Sequence, residues 1–150
     1  MLYDWDVVKQ TEGWSYPVTE ANAAWRFEQY ATQPLSDGGF FVMLEDVALI
    51  STIGLHHRVG TTVGLGDMIG RAFWGRGYVS EAASAVCRFG FETLRADVVK
   101  ADVWRNNAAS SRVLQKVGFR FTGDPGPGWS ATREGHFPRD AYELRREDLR

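Results

Sequence analysis

Two glycines flank a single arginine in Trp74-Gly75-Arg76-Gly77-Tyr78, and the residues on either side dictate what this bend joins. Before it, residues 63–70 form a short run with β-branched apolar members that reads as a strand. After it, Val79, Ala82, Ala83, Val86 and Gly90 recur at the spacing of one helix face, lasting to about Leu94. The chain must therefore pass from strand to helix within a few residues. The first-turn amides of such a helix have no partners inside it. The macrodipole adds roughly half a positive charge at that end, and glycine lets the backbone approach an anion with no Cβ in the way. Arg76 can add a two-pronged grip. A tight strand-to-helix turn with incidental glycines accounts for the pentapeptide equally well, so on its own it leaves both readings open. Two nucleotide-binding alternatives fail. Tyr78-Val79 stands where a Walker-type loop needs Lys followed by Ser or Thr. The third glycine of the dinucleotide fingerprint is missing, and the neighbouring strands look antiparallel.

The rest of the chain fills in around this bend. Residues 1–17 carry Trp5, Trp14 and Tyr16 among polar residues without a sustained period, and are expected to be irregular. Thr19 caps a helix marked by Ala23, Ala24, Phe27 and Tyr30 and blocked at Pro34. A turn at 36–39 leads into a hairpin of strands at 40–44 and 47–55. A strand at 98–104, a helix at 108–117 stopped by Gly118, and strands at 119–122 and 141–144 complete the pattern. Residues 123–139, opening with Gly123-Asp124-Pro125-Gly126-Pro127-Gly128-Trp129, read as a long loop of the kind that serves function.

Composition narrows the function. A chain of 150 residues, 44% apolar and 24% charged, suits one compact domain over residues 1–150. Seventeen basic against nineteen acidic side chains leave a net charge of -2, so nucleic acid is not an expected partner and any anion site must be local. Cys87 is the only cysteine: no internal disulfide or cysteine metal cage can form, no metal is expected, and the residue reads as a small buried hydrophobe on a helix. No signal-peptide pattern follows Met1 and no apolar run approaches the ~20 residues that span a bilayer, so the expectation is a soluble, cytoplasmic protein without membrane contact.

A second constellation decides among the remaining anion-binding folds: Asn106-Asn107-Ala108-Ala109-Ser110-Ser111-Arg112-Val113-Leu114-Gln115-Lys116-Val117-Gly118-Phe119. Paired with Gly70-Arg71-Ala72-Phe73-Trp74-Gly75-Arg76-Gly77-Tyr78-Val79-Ser80-Glu81-Ala82, it resembles the GNAT acetyltransferase superfamily, in particular its RimJ/RimL-like branch of ribosomal-protein N-terminal acetyltransferases. The resemblance runs from about Gly39 to Arg150, and the closing segment 135–145 shares it. It implies an α/β (α+β) fold with a mixed, mainly antiparallel sheet and helices on both faces, and acetyl-CoA as co-substrate. By the same resemblance the backbone of Ile69, Gly70 and Arg71 pairs with the pantetheine arm. The stretch Trp74, Gly75, Arg76, Gly77, Tyr78, Val79 and Ser80 holds the pyrophosphate on its amides. Asn107 contacts the pantetheine, with Ser110 beside it, although from spacing alone Asn107 is equally a helix N-cap.

The chain departs from the family pattern in places. Ala72 replaces the usual Gln or Arg, Leu114 stands where many relatives carry a tyrosine near the thioester sulfur, and Gly64 falls where an acidic residue is common. Asp67, His56 and His57 are the nearest replacements for that acid, and on a regular strand the two histidines face opposite sides. Ser110, Ser111 or water is left to protonate the thiolate, which needs little help with a pKa near ~8.5. Relative to that pattern a leading strand and helix are also missing, which leaves the edge of the strand at 40–44 open and implies cover by another subunit, as in a homodimer, or by a rearranged N-terminal segment.

The implied chemistry is direct attack of a bound amine on the acetyl thioester. An α-amine sheds its proton about 3.5 kcal/mol more cheaply than a lysine, which favours a peptide N-terminus or a small amine as acceptor. The catalytic candidates are Asp67, His57 and Ser110. The alternative is a non-catalytic acyl-CoA-binding or sensing module.

Overall fold

The computed structural model describes residues 2–150, so Met1 lies outside it. Four helices and eight strands follow in chain order: α1 (Trp5–Val8), α2 (Glu20–Thr32), β1 (Gly39–Glu45), β2 (Ala48–Val59), β3 (Thr62–Ile69), α3 (Tyr78–Glu92), β4 (Val98–Trp104), α4 (Ala108–Val117), β5 (Arg120–Gly123), β6 (Gly128–Ser130), β7 (Gly135–Phe137) and β8 (Arg139–Arg145). Six strands form one sheet in the order β1-β2-β3-β4-β8-β5, and all neighbours are antiparallel except β3 and β4. That parallel pair is joined through α3, because parallel strands need a crossover. The expected mixed, mainly antiparallel sheet is what forms.

Alternation along the strands sorts the apolar residues onto two faces. On one, Ile53, Leu55, Val63, Leu65, Val99, Ala101 and Val103 meet Ala83, Val86, Cys87 and Phe91 of α3 and Leu114 and Val117 of α4. Gly90 lets α3 sit close, since a Cβ there would stand 2.8 Å from the Leu55 Cδ1. Burial pushes the Cys87 thiol up to about 12, in keeping with a packing role. On the other face Met68 packs with Val7, Val8, Trp14 and Val18. Beside this second cluster, Tyr30 of α2 stacks on Phe40 at 4.1 Å.

Helix ends follow their local chemistry. Thr19 caps α2 by accepting from the Asn22 amide at 3.2 Å, and Asn107 caps α4 by accepting from Ser110 N at 3.2 Å. Gly118, at φ 116°, ends α4 with its N–H on the Leu114 carbonyl at 3.1 Å.

Three readings of the sequence need correction. The opening segment is not wholly irregular: Asp4 accepts from the Asp6 amide and starts the single turn α1, which buries Val7 and Val8. Two apolar residues are too few to display a period. The stretch 123–139 is not wholly a loop either, since β6 and β7 pair within it and β8 begins at Arg139. Finally, His56 and His57 do not alternate: His57 takes φ 50° in a bulge of β2, and the two rings meet edge to face at 4.7 Å.

Candidate functional site

The site begins where the sheet comes apart. Strands β3 and β4 pair only at Thr62–Val98, Val63–Val99 and Gly64–Lys100, yet they run on to Ile69 and Trp104. The Gly70 amide donates to the Ile50 carbonyl at 2.9 Å, which fixes the phase of the β2–β3 ladder. By antiparallel alternation, Asp67 and Ile69 therefore turn their N–H and C=O groups away from β2 and into the opening beside β4. The Trp74 indole donates to one of these groups, the Ile69 carbonyl, at 3.0 Å. A carbonyl has a second lone pair, so that bond does not close the position.

Gly70 spends its amide on Ile50, and its carbonyl accepts from the Phe73 amide at 2.9 Å, which shapes the turn and leaves that carbonyl one lone pair beside those of Ile69 and the Arg71 amide. The Arg71 side chain is likewise committed elsewhere. It donates to Asp4 at 2.9 and 2.7 Å and also reaches Asp6, tying the turn at Arg71–Phe73 to α1. Its guanidinium holds the Asp4 carboxyl below the usual carboxylate range.

Just past this turn the backbone reverses at Gly75 (φ 73°) and Gly77 (φ 88°), both left-handed. Gly77 is the N-cap of α3 and has no side chain to fill the capping role, so the Tyr78, Val79 and Ser80 amides lack partners. Nothing lies within 4 Å of where a Cβ would stand on either glycine. The result is an open cradle of main-chain donors at the positive end of a 15-residue helix. Arg76 lies over the Phe73 ring at 5.5 Å, and the Tyr78 hydroxyl donates to Glu45 at 2.9 Å. The donor set suits a diphosphate, and the open edge of β3 suits an amide-bearing chain.

Asn107 proves to be the N-cap, with its Nδ2 also donating to Ser110 Oγ at 2.9 Å. Ser110 Oγ accepts that bond, so its own proton is free to be donated. Leu114, at the position of the missing tyrosine, is buried in the core and supplies no proton.

Of the titratable candidates, Asp67 alone lines the opening. It stands on the α3 and α4 side, as its cross-strand partner Ile53 does. The residue as a whole is exposed, while the protein atoms gathered around its carboxyl raise its pKa to about 6 through desolvation. His57 is not brought to this place. It lies at the closed end of β3, lining a separate cavity of about 510 Å³ with Gln33, Asp37, Arg58 and Gly60. His56 lies on the opposite face from Asp67, over Gly64 and Gly66, where a Cβ on Gly66 would come within 2.8 Å of its Nε2. Burial, with His57 close by, lowers its pKa to about 4, and its Nδ1 has no partner. The glycine in place of the acidic residue is thus explained: the imidazole occupies that space. Among the described residues, no group of three or more His, Cys, Asp or Glu stands together to hold a metal, and no helix is long and apolar enough to cross a membrane.

Comparison with known proteins bears on this geometry. A family model described as an acetyltransferase (GNAT) domain matches residues 1–120. The Bacillus subtilis (strain 168) protein called "Uncharacterized N-acetyltransferase YoaA" is 38% identical over 80 residues, which is 50% of this chain and 44% of that protein. The matched stretch thus spans less than half of that relative. Among solved structures, the ribosomal-protein-S5-alanine acetyltransferase from Vibrio fischeri superposes with a TM-score of 0.79 at 16% identity, covering 97% of this chain and 82% of that one. The spermidine N-acetyltransferase from Vibrio cholerae, in complex with CoA and spermine, gives 0.77 at 11% identity, with 97% and 85% covered. At these identities the two structures establish the fold alone.

The raised carboxyl makes a stability prediction. An acid whose folded pKa exceeds its unfolded value binds more protons when folded, so the desolvation penalty of the ionised form is absent below the ordinary 3.8 and complete above about 6. Asp67→Asn is expected to melt near the parent temperature at the acidic end of that window, and increasingly above it as pH rises to neutrality. Thermal melts across this range check the point; an offset that ignores pH would contradict it.

Proposed function

Because the chain belongs to the GNAT acetyltransferase family, we propose that it moves an acetyl group from acetyl-CoA to a primary amine, a peptide N-terminus or a small amine, by direct attack. The observation that carries this reading is the alignment of two open backbone surfaces: the amide cradle before α3 and the unpaired edge of β3 that leads to it. Amides of Gly75, Gly77, Tyr78, Val79 and Ser80 hold the pyrophosphate, helped by Arg76, and Ile69 pairs with the pantetheine arm. Acetyl-CoA supplies an activated carbonyl as its thioester. The neutral amine forms the new C–N bond as the C–S bond breaks, so no covalent enzyme intermediate is required. Asp67, ionised above about 6, takes the amine's proton through water in the opening. Ser110, held by Asn107 with its proton free, serves the departing thiolate.

The fold shared with an S5-alanine acetyltransferase supports a RimJ/RimL-like placing and an α-amine acceptor, and that shared with a spermidine acetyltransferase keeps a small amine in view. The free, buried Cys87 fits a reducing compartment, the cytoplasm. Among the described residues β1 has no strand on its outer edge, and Val42, Leu44 and Val47 are exposed there. A second copy covers this edge in a homodimer.

Thiol release from acetyl-CoA over a panel of amines and peptides tests the activity. Turnover on at least one acceptor is expected, with an acidic limb near pH 6 that Asp67→Asn abolishes. Tight cofactor binding without turnover on any acceptor would instead support the non-catalytic binding module. For the assembly, sedimentation should give a dimer that Val42→Lys dissociates; a parent protein that sediments as a monomer sinks this part.

A further inference from the structure

Three arginines converge where β4, the β6–β7 hairpin and β8 meet, and two of them are neutralised. Arg105 donates to Asp124 at 2.8 Å and to Asp140 at 2.9 Å. Arg139 lies against Glu12 at 2.6 Å and Asp102 at 3.0 Å. Arg133 differs: among the described residues no carboxylate pairs with it. Its guanidinium is stacked instead on Phe137 at 3.8 Å and Trp104 at 4.6 Å, with Nε donating to the buried Ser130 Oγ at 3.2 Å. Its Nη2 is shielded from solvent and meets no acceptor. Burial also lowers the pKa of the group, although a guanidinium stays charged at neutral pH.

A cation so placed is incomplete. Removing a charged donor from water without giving it an acceptor costs more than leaving a neutral one bare. The two aromatic rings offset part of this cost, yet they leave the Nη2 N–H groups without an acceptor. Arg133 also lines a cavity of about 280 Å³, together with Arg105, Asn106, Phe137 and Pro138. No acidic residue stands in that lining. Planar, forked donors match the two oxygens of a carboxylate better than any other common group.

Position relates the cavity to the opening. Arg105 and Asn106 directly follow β4, and Asn107 caps α4, so the cavity adjoins the end of the parted strands. Trp104 alternates with Val103, which packs against α3 and α4, so the ring under Arg133 lies on the opposite face of the sheet.

We propose that this cavity receives the carboxylate of the acceptor, so that the substrate is an amine carrying an acid group, of amino-acid size. The proposal rests on the acyl-transfer reading for the word acceptor, but the binding site it describes stands on its own geometry. A guanidinium without a carboxylate partner favours an acceptor that carries an acid group over one that lacks it, which discriminates between acceptors that share the same reactive amine.

Binding of product-like molecules tests this without relying on turnover. N-acetyl-L-alanine and N-acetyl-L-alaninamide differ only in charge at the acid, and neither has an amine whose basicity would confuse the comparison. Titrated into the coenzyme A complex, with the Trp104 indole resonance as readout, the acid is expected to bind about tenfold more tightly than the amide, the scale of one charged hydrogen bond. In Arg133→Gln that difference disappears while coenzyme A affinity stays unchanged, and Arg133→Lys retains part of it. If Arg133→Gln fails to fold, the parent comparison and the lysine variant decide. Equal binding of acid and amide by the parent, no binding of the acid, or a loss of coenzyme A affinity in a folded Arg133 variant each overturn the proposal. Thiol release is scored separately: acid binding without turnover on any amine sinks the acyl-transfer reading and leaves the carboxylate site standing, and turnover without acid preference does the reverse.

Discussion

The parting of β3 from β4 after Gly64 and Lys100 is the constraint from which the rest of the site follows. In an ordinary sheet every interior strand satisfies its main-chain groups on both sides, and an unpaired stretch is costly when buried. Here Asp67 and Ile69 lie beyond the last β3–β4 pair and leave theirs open on one side, in the middle of a sheet rather than at its margin. Such a gap is tolerated because solvent reaches it, as the exposure of Asp67 shows. It also creates a directional surface that an amide-bearing chain can complete as a strand would.

The gap acts together with the turn that follows it. Arg71, tied to Asp4 and Asp6, anchors that turn to the opposite face, and Gly75 and Gly77 reverse the chain so that α3 starts with its donors bare. Donors for an anion and a lattice for amides then lie in sequence along one path. The Trp74 indole, already bonded to the Ile69 carbonyl, marks where this path passes from one to the other.

Much of this was legible in the chain itself. The bend, its helix, the strand at 98–104 and the helix at 108–117 follow from period and punctuation, since long amphipathic runs with Gly or Asn at their ends leave few alternatives. The site was half legible. Two glycines at the right place predicted the cradle, but no pattern of residue types announces that two strands will separate, because splaying depends on tertiary packing. Similarly, no residue pattern announces that the Gly70 amide bonds to Ile50 and its carbonyl to the Phe73 amide. His57 looked catalytic until the bulge carried it to the wrong end of β3. Arg133 escaped notice altogether, because its significance lies in having no carboxylate partner while Arg105 and Arg139 each have two, a property of three-dimensional neighbours alone.

The central claim is that bare main-chain nitrogens ahead of α3 bind a diphosphate. Calorimetric titration of coenzyme A into the Gly75→Glu, Gly77→Glu double variant tests it most directly, with circular dichroism to verify the fold. The added carboxylates meet no neighbour within 4 Å of either Cβ position and repel the phosphates, and a Gly75→Ala, Gly77→Ala variant, which carries the same left-handed strain without the charge, separates repulsion from strain. Affinity should fall by about a hundredfold or more, the scale of two or more lost charge-assisted contacts. Coenzyme A bound by the folded variant as tightly as by the parent would contradict the account.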